Sequence, residues 1–214
     1  MTEVCGSMTN SPDPNAPQDS VGKAIPFGEV RIHPETQEIL MKTPYMMKGY
    51  YKNPEKTAEV LIDGWMHSGD KGTIDKNGYV KVIGRVKDAF KTSKGSYVTP
   101  NPMEEVLMKN DYIEQVCVAG LGNPQPIALI NLSEIGIAAD KAAVSQSIQE
   151  SVEKANSTRA KFEKISTAII QQEVWSVDND LLTPTLKVKR GKIDEKYSST
   201  YLDWHEAKEK VIWV

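Results

Sequence analysis

Two rhythms of apolar and polar residues divide the chain. From Gly28 the period is two. The runs GEVRIH and EILMK read as a hairpin about residues 33–37, and MHSGDKGTI and YVKVIG flank the turn Asp75-Lys76-Asn77-Gly78 as a second hairpin. Alternation of this kind gives a sheet one buried face, which predicts a β-meander or small barrel. One helix interrupts it: Asn53 suits an N-cap, Pro54 the first helical position, and EKTAEVL continues to a stop at Asp63-Gly64. Residues 9–17, rich in Asn, Ser and Pro, predict a loop.

After Lys87 and Asp88 helical spacing alternates with longer apolar runs, which places a domain boundary there. Asn101, Pro102 and Glu104 have the spacing of N-cap, N1 and N3 in a capping-box-like start for the helix PMEEVLMKN. The strands IEQVCVAG and PIALINL follow, joined by a turn through residues 122–125. Residues 138–156 are spaced as a helix burying Ala143, Ile148 and Val152, and residues 165–175 read as a last strand. Beyond the loop at 178–180 lie the basic run LKVKRGK and a short helix near 193–197. The expected fold is α+β: a β-rich, barrel-like subdomain, then a small α/β domain with an antiparallel sheet flanked by helices.

Composition narrows the function. A chain of 214 residues can bury a real core in one or two domains. Twenty-six basic against 29 acidic residues leave a net charge of −3, which argues against a general nucleic-acid or membrane-surface role, including a nucleic-acid site at LKVKRGK. Cys5 and Cys117 are far apart and His33, His67 and His205 are isolated, so neither a disulfide framework nor a metal-ligand pattern emerges. No apolar run approaches the length of a membrane span and the first residues lack the regions of a signal peptide, so a cytoplasmic protein, or one peripheral at membranes, is expected.

The most chemically suggestive pair is Asp70, ending WMHSGD, and Arg85, in GRVKD. Two strands and a tight turn between them let a carboxylate and a guanidinium converge on one ligand. A carboxylate can accept both hydroxyls of a ribose, and an arginine fork suits ribose or phosphate oxygens.

The ordered series MTE, GEVRI with KGYYKNPEKT, WMHSGD, GRVKD and LTPTLKVKR resembles the adenylate-forming acyl-CoA synthetase superfamily, and within it the long-chain fatty acid CoA ligases. The resemblance covers nearly the whole chain. It implies an enzyme with a large N-terminal portion and a small mobile C-terminal domain. Such an enzyme joins a carboxylic acid to AMP with loss of pyrophosphate and then passes the acyl group to CoA sulfur. Residues 1–86 would be the end of the large AMP-binding domain, 87–88 the hinge and 89–214 the small domain.

Residue by residue, the resemblance implies that Thr2 touches ATP phosphate and Glu3 holds magnesium in a complete enzyme. Asp70 would hold the ribose hydroxyls and Arg85 the ribose or phosphate of the same nucleotide. Gly69 would admit close backbone approach. Lys87 falls at the hinge. FKTSKGSYVTP, with Gly95 at its tip, matches the loop that helps form the CoA tunnel, through Lys94, Gly95 and Ser96; this chain departs there from the Gly-x-Arg-like pattern of many members. Lys187 aligns with the catalytic lysine that contacts the acid carboxylate and the bridging phosphate oxygen. LTPTLK, in place of Ser-Gly-Lys, points toward long-chain ligases.

The family's Ser/Thr/Gly-rich phosphate loop and acyl pocket have no counterpart in these residues. The expectation is that they precede Met1 in a longer enzyme and that the chain alone is inactive. ATP or AMP, magnesium, CoA, a fatty acid and the N-terminal portion are the implied cofactors and partners. A stand-alone module binding nucleotide, CoA or a partner without catalysis is the alternative. Transfer to a carrier-protein thiol, or arrest at acyl-AMP, also stays open.

Overall fold

The structure, a computed structural model, describes residues 1–214. The chain forms two compact units, residues 1–87 and 88–214. No helix is long and apolar enough to cross a membrane.

In the first unit, strands β1 (Thr9–Asn10) and β2 (Lys23–Ala24) pair as a small ribbon, so residues 9–17 are not wholly loop. The main sheet contains β3 (Glu29–Ile32), β4 (Glu38–Lys42), β5 (Leu61–Ile62), β6 (Trp65–Ile74) and β7 (Val80–Arg85). Long β6 pairs with β4 on one edge and with β5 and β7 in succession on the other, so the sheet curls as a half-barrel without closing. Helix α1 (Pro54–Val60) starts as expected, with the Asn53 side chain accepting the Lys56 N–H. Val4, Met8 and Met66 are buried together, which ties the first residues to the sheet.

The second unit opens with a hairpin of β8 (Phe90–Lys91) and β9 (Tyr97–Val98) and helix α2 (Asn101–Leu107). Strands β10 (Ile113–Ala119) and β11 (Ile127–Leu132) pair antiparallel. Then come α3 (Glu134–Ala138), α4 (Lys141–Asn156), β12 (Ala168–Ile170), α5 (Arg190–Tyr197), α6 (Tyr201–Glu206) and β13 (Val211–Trp213). The sheet order is β10-β11-β12-β13; β12 runs parallel to both neighbours, so this sheet is mixed. Both faces are covered. Val116, Val118, Ala128 and Ile130 pack under α2 and α4, while the intervening Cys117, Ile127 and Leu129 meet Trp175, Leu181, Ile193 and Tyr201. Burial on both faces explains why these strands read as unbroken apolar runs.

Three local expectations are corrected. Helix α2 begins one residue early, with Pro100 at the N-cap and no side-chain cap, because Glu104 is engaged elsewhere: it accepts from Val118 N–H at 2.7 Å and from Arg190. The segment 138–156 breaks at Asp140, whose carboxylate caps α4; the buried stripe is Val144, Ile148, Val152 and Ala155, while Ala143 is exposed. Of residues 165–175 only Ala168–Ile170 forms strand. Asn131 bends the rest away by donating to Glu173 O at 2.8 Å and accepting from Trp175 N–H at 2.6 Å.

Candidate functional site

The turn between β6 and β7 sets the geometry of the first unit's site. Asp75 Oδ1 accepts the N–H groups of Asn77 and Tyr79 at 2.8 and 2.9 Å, an Asx turn that fixes the hairpin register. In that register Asp70 stands directly opposite Arg85. The side chains meet, Arg85 Nη1 donating to Asp70 Oδ1 at 2.8 Å. Asp70 is the more sheltered, with its side chain 29% exposed against 57% for Arg85. An exposed pair of this kind contributes little stability, about 0–1 kcal/mol, so its two groups are available to a ligand at small cost.

Asp70 and Arg85 line a cleft of about 620 Å³ together with Glu3, Tyr50, His67 and Lys87. Gly69 precedes Asp70 in the left-handed region, φ +74°, where a Cβ would stand 3.2 Å from Arg85 Nη2. The backbone there is pinned from two sides, Val86 N–H donating to Gly69 O at 2.8 Å and Gly69 N–H to Glu38 Oε1 at 2.7 Å.

Glu3 lies in a single 3-10 turn, Thr2–Val4, and accepts the Tyr50 hydroxyl at 3.0 Å. Burial, then the neighbouring Glu3, raises the Tyr50 pKa, so the phenol stays a donor. Thr2 is exposed and outside the cleft lining. No group of three or more His, Cys, Asp or Glu side chains is placed to hold a metal. Glu3 therefore fits magnesium only as a single carboxylate completing the shell of an ion that arrives on nucleotide phosphates.

The remaining sequence-predicted residues belong to the second unit. Lys94, Gly95 and Ser96 form the tip of the β8–β9 hairpin. Gly95 has φ +84°, its N–H donates to Thr92 O at 2.9 Å, and buried Thr92 also bonds Ser96. Lys187 sits on a tight loop. Thr183 N–H donates to Lys187 O at 2.8 Å, and Lys187 N–H returns to Thr183 Oγ1 at 3.0 Å. The loop is rooted by buried Leu181 and Leu182 at one end and by Arg190 at the other.

Most of the cations of LKVKRGK are paired with acidic groups. Arg190 forks onto Glu104 at 2.7 and 3.0 Å and donates to Val118 O, Lys189 pairs with Asp180, and Lys192 with Glu195. Of Lys187, Lys189, Arg190 and Lys192, only Lys187 has no acidic partner. An unpaired ammonium on a hydrogen-bonded loop is suited to neutralising charge on an incoming ligand.

Sequence reasoning did not assign Tyr50, Glu38 or His67. Tyr50 and His67 stood inside the motif runs KGYYKNPEKT and WMHSGD, which was signal enough to suspect them. Glu38 carried no signal, because its role depends on cross-strand pairing.

Residues 87–203 match the family described as AMP-binding enzyme C-terminal domain. Long-chain-fatty-acid–CoA ligase 5 of Rattus norvegicus is 33% identical over 192 residues, covering 81% of this chain and 28% of that protein. Long chain acyl-CoA synthetase 4 of Arabidopsis thaliana is 31% identical over 230 residues, covering 93% and 34%. O-succinylbenzoate coenzyme A synthetase of Bacillus subtilis, solved in complex with AMP, shares the fold with a TM-score of 0.68 at 22% identity, over 90% of this chain and 39% of that one. The chain spans about a third of the length of the curated relatives it matches. With the motif order, the paired Asp70 and Arg85 and the free Lys187 in place, the chain belongs to the adenylate-forming acyl-CoA synthetase superfamily and represents its C-terminal portion.

Proposed function

We propose that this chain supplies the nucleotide-holding end and the mobile lysine of an ATP-dependent long-chain fatty acid–CoA ligase. The supporting observation is the register of β6 and β7, which sets Asp70 against Arg85 in a cleft shared with Glu3 and Lys87. In the first half-reaction a carboxylate oxygen of the acid attacks the α-phosphorus of ATP and pyrophosphate leaves with the electron pair of the broken P–O bond. In the second, CoA sulfur attacks the acyl carbon, loses its proton, and expels AMP.

Asp70 accepts the ribose hydroxyls and Arg85 donates to ribose or phosphate oxygens, exchanging their mutual ion pair for the ligand. Glu3 bonds the magnesium carried by ATP, and Thr2 donates to a phosphate. Lys187 places its ammonium against the acid carboxylate and the bridging oxygen, where negative charge grows in the transition state. Lys87 is the hinge about which the second unit turns between half-reactions, after which Lys94, Gly95 and Ser96 line the approach of CoA.

Residues 1–214 alone are expected to bind AMP weakly and to release no pyrophosphate, since no phosphate loop or acyl pocket is among them. Calorimetric titration with AMP tests the first point: Asp70→Asn should weaken binding about tenfold, the effect of one lost hydrogen bond to a charged group. Equal affinity in both proteins would refute the assignment. Acid-dependent pyrophosphate release by the chain at a normal ligase rate would refute the second.

A further inference from the structure

Beside the cleft, β4 and β6 slip out of register between Glu38 and Leu40. The Glu38 carboxylate fills the gap. Its Oε1 accepts the Gly69 N–H at 2.7 Å, and its Oε2 lies 2.8 Å from His67 Nδ1. Both side chains are well sheltered, 12% exposed for Glu38 and 20% for His67. An ionised carboxylate has no proton to give, so the hydrogen in the second contact belongs to Nδ1. A neutral ring that donates from Nδ1 keeps its lone pair on Nε2. In His67 that nitrogen has no partner within the chain, and the residue lines the same cleft as Glu38, Gly69 and Asp70.

We infer that Glu38 is a positioning residue that holds His67 as the Nδ1–H tautomer, making Nε2 a second acceptor beside the Asp70 carboxylate for the hydroxyl or amino donors of a nucleoside. The same carboxylate fixes the backbone at Gly69, and through it the start of Asp70. Two acceptors on one wall select ligand edges that carry donors and disfavour those that present only oxygen lone pairs. The choice of ligand rests on the nucleotide reading above; the tautomer does not.

His33 provides an internal reference. Its ring lies 6.3 Å from that of His67, yet its Nδ1 accepts the N–H groups of Glu35 and Thr36, both at 3.3 Å. When neutral it must therefore carry its hydrogen on Nε2, the opposite arrangement.

Long-range nitrogen–proton correlation spectra of the 15N-labelled chain at pH about 8.5, well above the ordinary histidine value of about 6.5, read both tautomers directly. His67→Gln assigns the signal. Wild type should show His67 protonated at Nδ1 and His33 at Nε2, and Glu38→Ala should move His67 to the Nε2–H form with His33 unchanged, which also shows that the fold survives. A wild-type His67 protonated at Nε2 would overturn the inference. On adding AMP, the His67 Nε2 resonance should shift, and binding should weaken about tenfold in Glu38→Ala, with Glu38→Gln intermediate. Equal AMP affinity in wild type and Glu38→Ala would overturn the acceptor role. No AMP binding to wild type would defeat the nucleotide reading and the acceptor role together, and the tautomer spectrum separates that failure from a wrong assignment of Glu38.

Discussion

Replacing Glu104 by alanine should destabilise the second unit more than any surface change. The Glu104 and Arg190 side chains are 14% and 18% exposed, and the guanidinium forks onto the carboxylate at 2.7 and 3.0 Å. Without Glu104 the charge keeps only Val118 O and the Cys117 sulfur, at 2.7 and 3.2 Å, and the Val118 N–H loses its acceptor. Removing one partner of a buried pair costs about 3–5 kcal/mol. For a unit of this size each kcal/mol lowers the melting temperature by about 3–5 °C, so a fall of about 9–25 °C is expected. Calorimetry gives the transition, and the labelling rate of buried Cys117 reports opening of this unit in particular. The double variant Glu104→Met with Arg190→Met should recover most of the loss, because no uncompensated charge remains. A fall below about 3 °C in the single variant, or no recovery in the double, would refute the reasoning. The same pair anchors the start of α5, so the single variant should also loosen the loop that carries Lys187.

Three further outcomes are expected. Burial pushes the Cys117 thiol up to about 12, so a disulfide reagent should modify Cys5 at once and Cys117 only after denaturation; rapid native labelling of both would contradict the packing. Burial raises the Asp194 carboxyl above its usual range against the opposing pull of the Tyr201 hydroxyl and Arg190, so the fold binds its proton more tightly than the unfolded chain does. Relative to Asp194→Asn, wild type should lose stability as pH climbs above about 4 and then level off; melting curves across pH that showed wild type gaining would reverse the sign. Gly69→Ala should cost about 1–2 kcal/mol through its left-handed backbone and displace Arg85, weakening AMP more than melting alone explains; full affinity would rule out a role for that close approach.

What could be read from the sequence was whatever local chemistry settles. Asp75 and Gly78 closed a turn visible as four letters, alternation supplied the flanking strands, and the facing of Asp70 and Arg85 followed from both. Asn53 and Pro54 marked α1 for the same reason. What escaped depends on distant partners. The cap of α2 moved because Arg190, far along the chain, recruits Glu104. Strand β13 pairs parallel with β12 across an intervening loop and two helices, and three residues carry too little pattern to declare a strand. Glu38 earned its place through a slip in register, which no periodicity reveals.

The late position of β13 also bears on how the protein is made. Residues 1–87 contain every strand of the first unit's sheet, so its strand pairing waits on nothing downstream. The second unit's pairing does wait, because one edge of β12 stays bare until Val211–Trp213 arrives, with Ala168 waiting for Val211. During that interval an apolar strand presents unpaired N–H and C=O groups, the form most easily captured by another nascent chain. Chaperone demand and aggregation in expression should therefore track synthesis rate through the codons for residues 171–213, even where finished-state stability is unchanged.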